Sequence, residues 1–179
     1  MAIHLAFDEW STARLRLRPF NIHDAPQLFE LDANPLVMRF LGNTIFQEVS
    51  QSEAIIQNIR KQYQRNGLGR WAVFRKDDDC FLGWAGLKWV DPPEYGKTPY
   101  WDLGYRLLPE FWGQGIATEA ASAWVDIARN NLPTTALWAG VHAQNTASQR
   151  VLQKLGFRVF DSQPYDDEPH LWLELDLTT

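Results

Sequence analysis

Apolar and polar positions alternate in some stretches of this chain and recur at helical spacing in others, and the two periods separate strands from helices. Leu15-Arg16-Leu17-Arg18 alternates apolar and basic residues, as a strand with one inward face does, and Pro19 closes it. Asp24 is expected to cap a short helix that Ala25-Pro26 opens, with Leu28, Phe29 and Leu31 as its apolar face. Pro35 starts a second short segment that stops at Gly42. Ser50 and Glu53 have the spacing of a capping box. Ile55, Ile56, Ile59 and Tyr63 follow at helical spacing up to Asn66-Gly67, so a helix is expected over residues 51–66. Residues 71–74 and 81–90 read as an antiparallel hairpin around a polar turn. A Pro-rich loop over 91–99 then leads into a strand at 100–108, which Pro109 ends.

The second half continues with a helix over 116–130, a strand at 136–141 and a helix over 146–155 that Gly156 closes. A strand at 157–160, an acidic loop over 162–169 and an alternating strand at 171–177 complete it. No long linker, internal repeat or low-complexity tract interrupts the order. The pattern predicts one mixed α/β or α+β domain over residues 1–179, built on a largely central sheet.

Composition narrows the class of function. Of the 179 residues, 45% are hydrophobic and 22% charged, the balance of a folded globular chain rather than a disordered one. The 17 basic and 22 acidic residues leave a net charge of -5, which argues against a nucleic-acid partner, because phosphate neutralisation needs clustered Lys and Arg. A lone cysteine, Cys80, excludes an internal disulfide framework and a multi-cysteine zinc site, and it reads as structural. Asp77-Asp78-Asp79 lacks the spacing of a calcium loop, so no metal site is expected. The first residues read as neither a secretory signal nor an anchor, and no apolar run approaches 18 residues, so a cytoplasmic protein without membrane contact is expected. Nine Trp, ten Phe and five Tyr point to a ring-rich sheet and core, with some rings available to line a cleft.

Two segments carry candidate chemistry. In Leu107-Leu108-Pro109-Glu110-Phe111-Trp112-Gly113-Gln114-Gly115-Ile116-Ala117-Thr118 a strand ends, two glycines follow and a helix begins. A helix N-terminus offers unpaired N–H groups, and glycines let a phosphate approach them. The segment is neither a P-loop nor a dinucleotide fingerprint: no Gly-Lys-Ser/Thr follows, and Thr118 stands where a third glycine belongs. Taken alone, it reads more readily as a plain tight connection than as a phosphate site. In the second segment, residues 142–157, Asn145 can cap a helix, Val151, Leu152 and Leu155 can pack in the core, and Gly156 can end the helix. Each segment alone is weak.

In this order, about 30 residues apart, the two segments resemble the Gcn5-related N-acetyltransferases. Trp112 to Ala117 is similar to the family's pyrophosphate motif, Gln/Arg-x-x-Gly-x-Gly/Ala, and Asn145 to Phe157 to its Asn-x-x-Ser…Lys-x-Gly-Phe element. Leu15-Arg-Leu-Arg-Pro-Phe and Asp102-Leu-Gly-Tyr-Arg-Leu resemble the RimJ/RimL-like branch, which contains the ribosomal-protein alanine acetyltransferases. The resemblance spans residues 14–177. It implies a mixed, mostly antiparallel central sheet flanked by helices. It also implies acetyl-CoA as co-substrate, a primary amine as acceptor (a protein N-terminus or a small molecule) and a monomer or homodimer.

The resemblance further assigns roles. Gly113, Gln114, Gly115, Ile116, Ala117 and Thr118 would hold the pyrophosphate, with Asn145 and Ser148 also contacting the cofactor. Leu107 and Leu108 would offer backbone groups to pantetheine, and a bulge earlier in that strand would offer an N–H to the thioester oxygen. Asp102 stands where the branch commonly has glutamate and is the candidate base, directly or through water. Ser148 is the candidate donor to the departing thiolate. The sequence departs from the family at Trp112, which replaces Gln/Arg, and at Leu152, where many members carry a tyrosine proposed to protonate the thiolate. Glu110 and Glu119 read as solvated or helix-terminal charges, and His142 as either a proton relay or packing. No enzyme nucleophile is needed, because a thioester is already activated; the protein must place the amine, accept its proton and hold the oxyanion. Two rival readings are a non-catalytic acyl-CoA sensor, which would lack a proton acceptor near the thioester, and an interaction module, which would not bind CoA. The variable segments 39–51, 91–100 and 162–170 would shape the acceptor pocket.

Overall fold

The computed structural model describes residues 8–42, 44–91, 99–165 and 167–178. Eight strands form one sheet in the order β1-β2-β3-β4-β5-β6-β8-β7. They are β1 Trp10–Ser11, β2 Leu15–Pro19, β3 Arg70–Arg75, β4 Phe81–Val90, β5 Tyr100–Leu107, β6 Ala136–His142, β7 Arg158–Ser162 and β8 His170–Asp176. Every neighbouring pair is antiparallel except β5 and β6, which are parallel. Among the described residues five helices flank the sheet: α1 Ala25–Asp32, α2 Pro35–Met38, α3 Val49–Asn66, α4 Ile116–Asn131 and α5 Thr146–Lys154. This is the mixed, mostly antiparallel sheet expected from the sequence.

Alternation along the strands sends side chains to two layers. Trp71 of β3 meets Trp124 of α4 edge-on at 5.2 Å, and Tyr105 of β5 reaches α5, so these residues face the α4/α5 layer. Arg106, next to Tyr105, reaches Asp32 of α1 and so faces the α1–α3 layer. Seven consecutive residues of β4, from Phe81 to Leu87, are buried, as expected of a strand covered on both faces.

Local details differ from expectation in three places. Helix α3 begins at Val49 with Glu48 as its cap; the reciprocal cap pairs Glu48 with Gln51, not Ser50 with Glu53. Asp24 stands at the N-cap of α1, but its side chain makes no capping bond there. Asn21 caps a preceding 3-10 turn, Ile22–Asp24, and the Asp24 carboxylate takes two bonds from Arg18 at 2.8 Å each. The hairpin β1–β2 was not predicted, because a two-residue strand has no period to read. Of the expected 91–99 loop, residues 92–98 lie outside the described residues.

Trp124 is fully buried at the meeting of α4 and the sheet. Trp124→Ala is expected to cost about 3–5 kcal/mol of unfolding free energy in a denaturant titration, and a loss under about 1 kcal/mol would contradict the packing described.

Candidate active site

The connection from β5 to α4 passes through a 3-10 turn, Pro109–Phe111, and then Trp112-Gly113-Gln114-Gly115. Gly113 and Gly115 have φ of 72° and 77°, in the left-handed region that favours glycine. Gly115 caps α4 without a side chain, and the first N–H to find an intrahelical acceptor is that of Glu119, on the Gly115 carbonyl at 3.0 Å. The N–H groups of Ile116, Ala117 and Thr118 therefore precede the helix ladder, at the positive end of the helix dipole. A Cβ built at Gly113 would meet nothing within 4 Å, so the space over this turn is open. Open N–H groups, left-handed glycines and clear space fit a diphosphate.

Three neighbours stabilise the loop. The Trp112 indole donates to the Leu107 carbonyl at 2.8 Å, so the residue that departs from the family motif ties the loop back to the strand it leaves. The Gln114 side chain donates to the Glu110 carbonyl at 2.7 Å, while the Gln114 backbone carbonyl accepts from Arg14 Nη1 at 3.0 Å. Glu119 is not a solvated charge. It accepts from Thr12 Oγ1, from the Arg14 N–H at 2.9 Å and from Arg14 Nε at 2.7 Å, joining the β1–β2 turn to the first turn of α4. Burial would raise its carboxyl, but the donors from Thr12 and Arg14 win, and it is held below its ordinary value. The Arg14 guanidinium thereby comes within 3.6 Å of where a Gly115 Cβ would lie. Sequence reading missed Arg14; the only trace was the basic alternation that begins beside it.

The edge of β5 supplies further backbone groups. Leu108 N–H donates to the Leu82 carbonyl at 3.0 Å, and the β4–β5 register runs unbroken from Gly83↔Leu107 to Val90↔Tyr100. Antiparallel alternation then turns the N–H and C=O of Tyr105 and Leu107 away from β4, towards β6. On that side only one parallel pair, Asp102↔Trp138, is present. Leu107 thus keeps an N–H facing the gap, its carbonyl being taken by Trp112, whereas the Leu108 N–H is committed to the sheet. The expected bulge in this strand is absent; register shifts lie instead between Val73 and Phe74 of β3 and between Val159 and Asp161 of β7.

Helix α5 forms the other wall. The Asn145 side chain caps it by accepting the Ser148 N–H at 3.1 Å. Ser148 Oγ lies 2.9 Å from the Tyr105 hydroxyl, which also donates to the Ser148 carbonyl at 3.0 Å. Burial pushes the Tyr105 phenol up to about 12, with the Ser148 bond pulling the other way. Leu152 is buried in the core.

Asp102 lies on the opposite face of β5 from Tyr105. Among the described residues its carboxylate bonds Arg70 alone, at 3.0 Å, and the pair is partly exposed. The Arg70 guanidinium lies over the Trp84 ring at 4.5 Å, and a Cβ at Gly104 would press on it at 3.0 Å. Arg106, 5.3 Å from the Trp84 ring centroid, pairs with Asp32, the buried last residue of α1. Burial raises the Asp32 carboxyl against the pull of Arg106, and burial lowers Arg106, so enclosure costs each charge more than its partner returns. At the end of β6, buried His142 accepts the Gln144 N–H on Nδ1 at 3.1 Å and reaches Glu168 through Nε2 at 3.2 Å. Its ring meets Phe40 at 5.0 Å and His170 at 5.4 Å, so the variable segments 39–51 and 162–170 converge on it. Trp138, the strand partner of Asp102, stacks with Phe160 edge-on at 5.0 Å, so part of the ring-rich composition lies on this face. The two proposed catalytic residues are thus not brought together: Asp102 and Ser148 stand on opposite faces of the sheet, on either side of the gap.

Residues 14–158 match the family described as acetyltransferase (GNAT) domain, and the chain belongs to that family. A Bacillus licheniformis protein named as an uncharacterized N-acetyltransferase, p20, is 31% identical over 147 residues, covering 82% of this chain and 80% of its own. Two solved structures share the fold at low identity. The ribosomal-protein-S5-alanine acetyltransferase from Vibrio fischeri has a TM-score of 0.71 and 15% identity, covering 94% of this chain and 96% of its own. The spermidine N-acetyltransferase from Vibrio cholerae, solved with CoA and spermine, has a TM-score of 0.73 and 13% identity, covering 93% and 98%.

Two outcomes are expected here. Gly115→Val should fold at a cost of about 1–3 kcal/mol for its left-handed backbone. Its CoA affinity by calorimetric titration should fall at least about tenfold, ~1.4 kcal/mol, and a folded variant with unchanged affinity would refute the diphosphate assignment. Asp32→Ala should destabilise the protein by about 1–3 kcal/mol by leaving the largely enclosed Arg106 without its partner, and an unchanged thermal midpoint would show the pair to be solvated.

Proposed function

We propose that the chain transfers the acetyl group of acetyl-CoA to a primary amine by direct attack, with both substrates bound together. The observation that carries this reading is the run of backbone donors from the gap side of β5 to the uncapped start of α4. The N–H groups of Ile116, Ala117 and Thr118 bind the diphosphate, and the Gly113-Gln114-Gly115 turn admits it. Leu107 N–H holds pantetheine. Tyr105 N–H faces the thioester oxygen, where it stabilises the charge that grows as the amine attacks. Asp102 receives the proton of the amine, directly or through water, on the face that His142, Phe40 and Trp138 share. Ser148 meets the sulfur from the α5 side. A reducing cytoplasm suits a protein whose single thiol, Cys80, is half-buried and unpaired.

The fold leaves the acceptor open, since one structural neighbour is named for a ribosomal protein and another for spermidine. The chemistry of the amine discriminates better. Only a neutral amine attacks, and at pH 7 freeing the proton costs roughly 4.6 kcal/mol for a lysine side chain but about 1–1.4 kcal/mol for an α-amine. A site with a single carboxylate already engaged by Arg70 favours the easier proton. The acceptor is therefore an N-terminal or other low-pKa amine. The acidic rim at Asp167 and Glu168 attracts it only weakly, because exposed charges are screened by salt (Asp166 lies outside the described residues).

Thiol release should be followed with acetyl-CoA against free peptides, small amines and N-terminally blocked lysine peptides. Turnover on α-amines is expected, and Asp102→Asn should lower kcat at least about tenfold, ~1.4 kcal/mol, with CoA affinity within about twofold. Activity confined to blocked lysine peptides would overturn the acceptor, and an unaltered kcat would remove Asp102 as the base.

A further inference from the structure

Tyr105 lies in the Asp102-Leu-Gly-Tyr-Arg-Leu segment but has no role assigned from sequence, yet its hydroxyl ties β5 to the first turn of α5 across the side where β5 and β6 have parted. A phenol carries one proton. While that proton sits on the Ser148 carbonyl, the 2.9 Å bond between the two hydroxyls is made by the serine, whose O–H then points back at Tyr105. When the phenol donates to Ser148 Oγ instead, the serine proton is released to point elsewhere. The same two protons have two arrangements, and they differ in where Ser148 donates.

We propose that Tyr105 is a positioning residue: it holds Ser148 at the gap and, by donating to Ser148 Oγ, frees the serine O–H to hydrogen-bond the sulfur that leaves acetyl-CoA. The inference rests on the acetyl transfer proposed above. As the C–S bond breaks, its electron pair goes to sulfur, and the thiolate is held by a charge-assisted hydrogen bond from Ser148. Both hydroxyls keep their protons. The proton that finally reaches the thiol is the one the amine nitrogen gives up, carried through solvent. A phenol pushed up to about 12 agrees with this division of labour, because it would not surrender its proton to a thiolate whose reference value is about 8.5. The surroundings allow no easy substitute. The Ser148 backbone N–H is fixed on Asn145, and one turn further along α5 Leu152 is packed in the core.

The test compares Tyr105→Phe, Ser148→Ala and the double variant with the unaltered protein. It reads kcat at saturating acetyl-CoA and amine, CoA affinity by titration, and thermal midpoint. Each single variant is expected to lose about tenfold in kcat, ~1.4 kcal/mol, with CoA affinity within about twofold. The double variant is expected to be no worse than Ser148→Ala, because Tyr105 acts through the serine. Wild-type kcat in a folded Tyr105→Phe, a loss expressed as weaker CoA binding, or additive losses in the double variant would each overturn the inference. If Tyr105→Phe does not fold, Ser148→Ala decides: a tenfold fall at unchanged CoA affinity supports the inference, and full kcat leaves Tyr105 nothing to position. The unaltered protein is assayed first. Absence of turnover with any amine refutes the acetyl-transfer reading itself, whereas turnover untouched by Tyr105→Phe refutes only this inference.

Discussion

Parallel strands β5 and β6 share a single ladder pair, Asp102↔Trp138, and then part, and the proposed chemistry depends on that early stop. A backbone donor in the middle of a sheet is normally satisfied by its neighbour, and leaving it bare costs free energy. Here the N–H groups of Tyr105 and Leu107 face a gap, while β4 holds the other edge of β5 in unbroken register and β8 holds β6 along its whole length. The sheet is therefore rigid on both sides of an opening. Backbone groups so fixed need no reorganisation when a polar chain lies along them, which is the property a site for thioester chemistry requires.

The gap also divides the labour between two faces. Strand alternation sends Tyr105 towards α5 and Asp102 towards α1–α3, so in the proposed reaction the group assigned to the sulfur and the group assigned to the amine lie on opposite faces. Under that proposal the amine and the thiolate would not compete for one pocket. Charges gather around Trp84: Arg70 lies over the ring and pairs with Asp102, while Arg106, also against the ring, pairs with Asp32 at the end of α1. That buried pair costs solvation but fills the space beneath α1 and α2 without an unpaired charge.

Elements and their order were legible in the sequence because long helices and alternating strands carry strong periods. The glycines of the α4 entry were legible too, since positive φ and an open helix start leave a local signature. Pairings between distant positions were not. Nothing near Gly104 announces that Arg70 lies across it, and Glu119 reads as a helix-terminal acid until Thr12 and Arg14 arrive from the far end of the chain. Tyr105 stands in a strand segment that carries the resemblance without a role of its own, and its partner appears only once α5 is packed. The mistaken cap of α3 has a local cause: Glu48–Gln51 and Ser50–Glu53 have the same spacing two residues apart, and residue preference alone chose the wrong one.

The central claim is that backbone N–H groups along the gap and at the start of α4 hold the cofactor. Amide hydrogen exchange with and without saturating CoA tests it directly. The account predicts new protection at Tyr105, Leu107 and Ile116 to Thr118, with little change at Leu108, whose N–H is already bonded within the sheet. CoA binding that leaves those amides unprotected, or that protects a different face of the molecule, would contradict it.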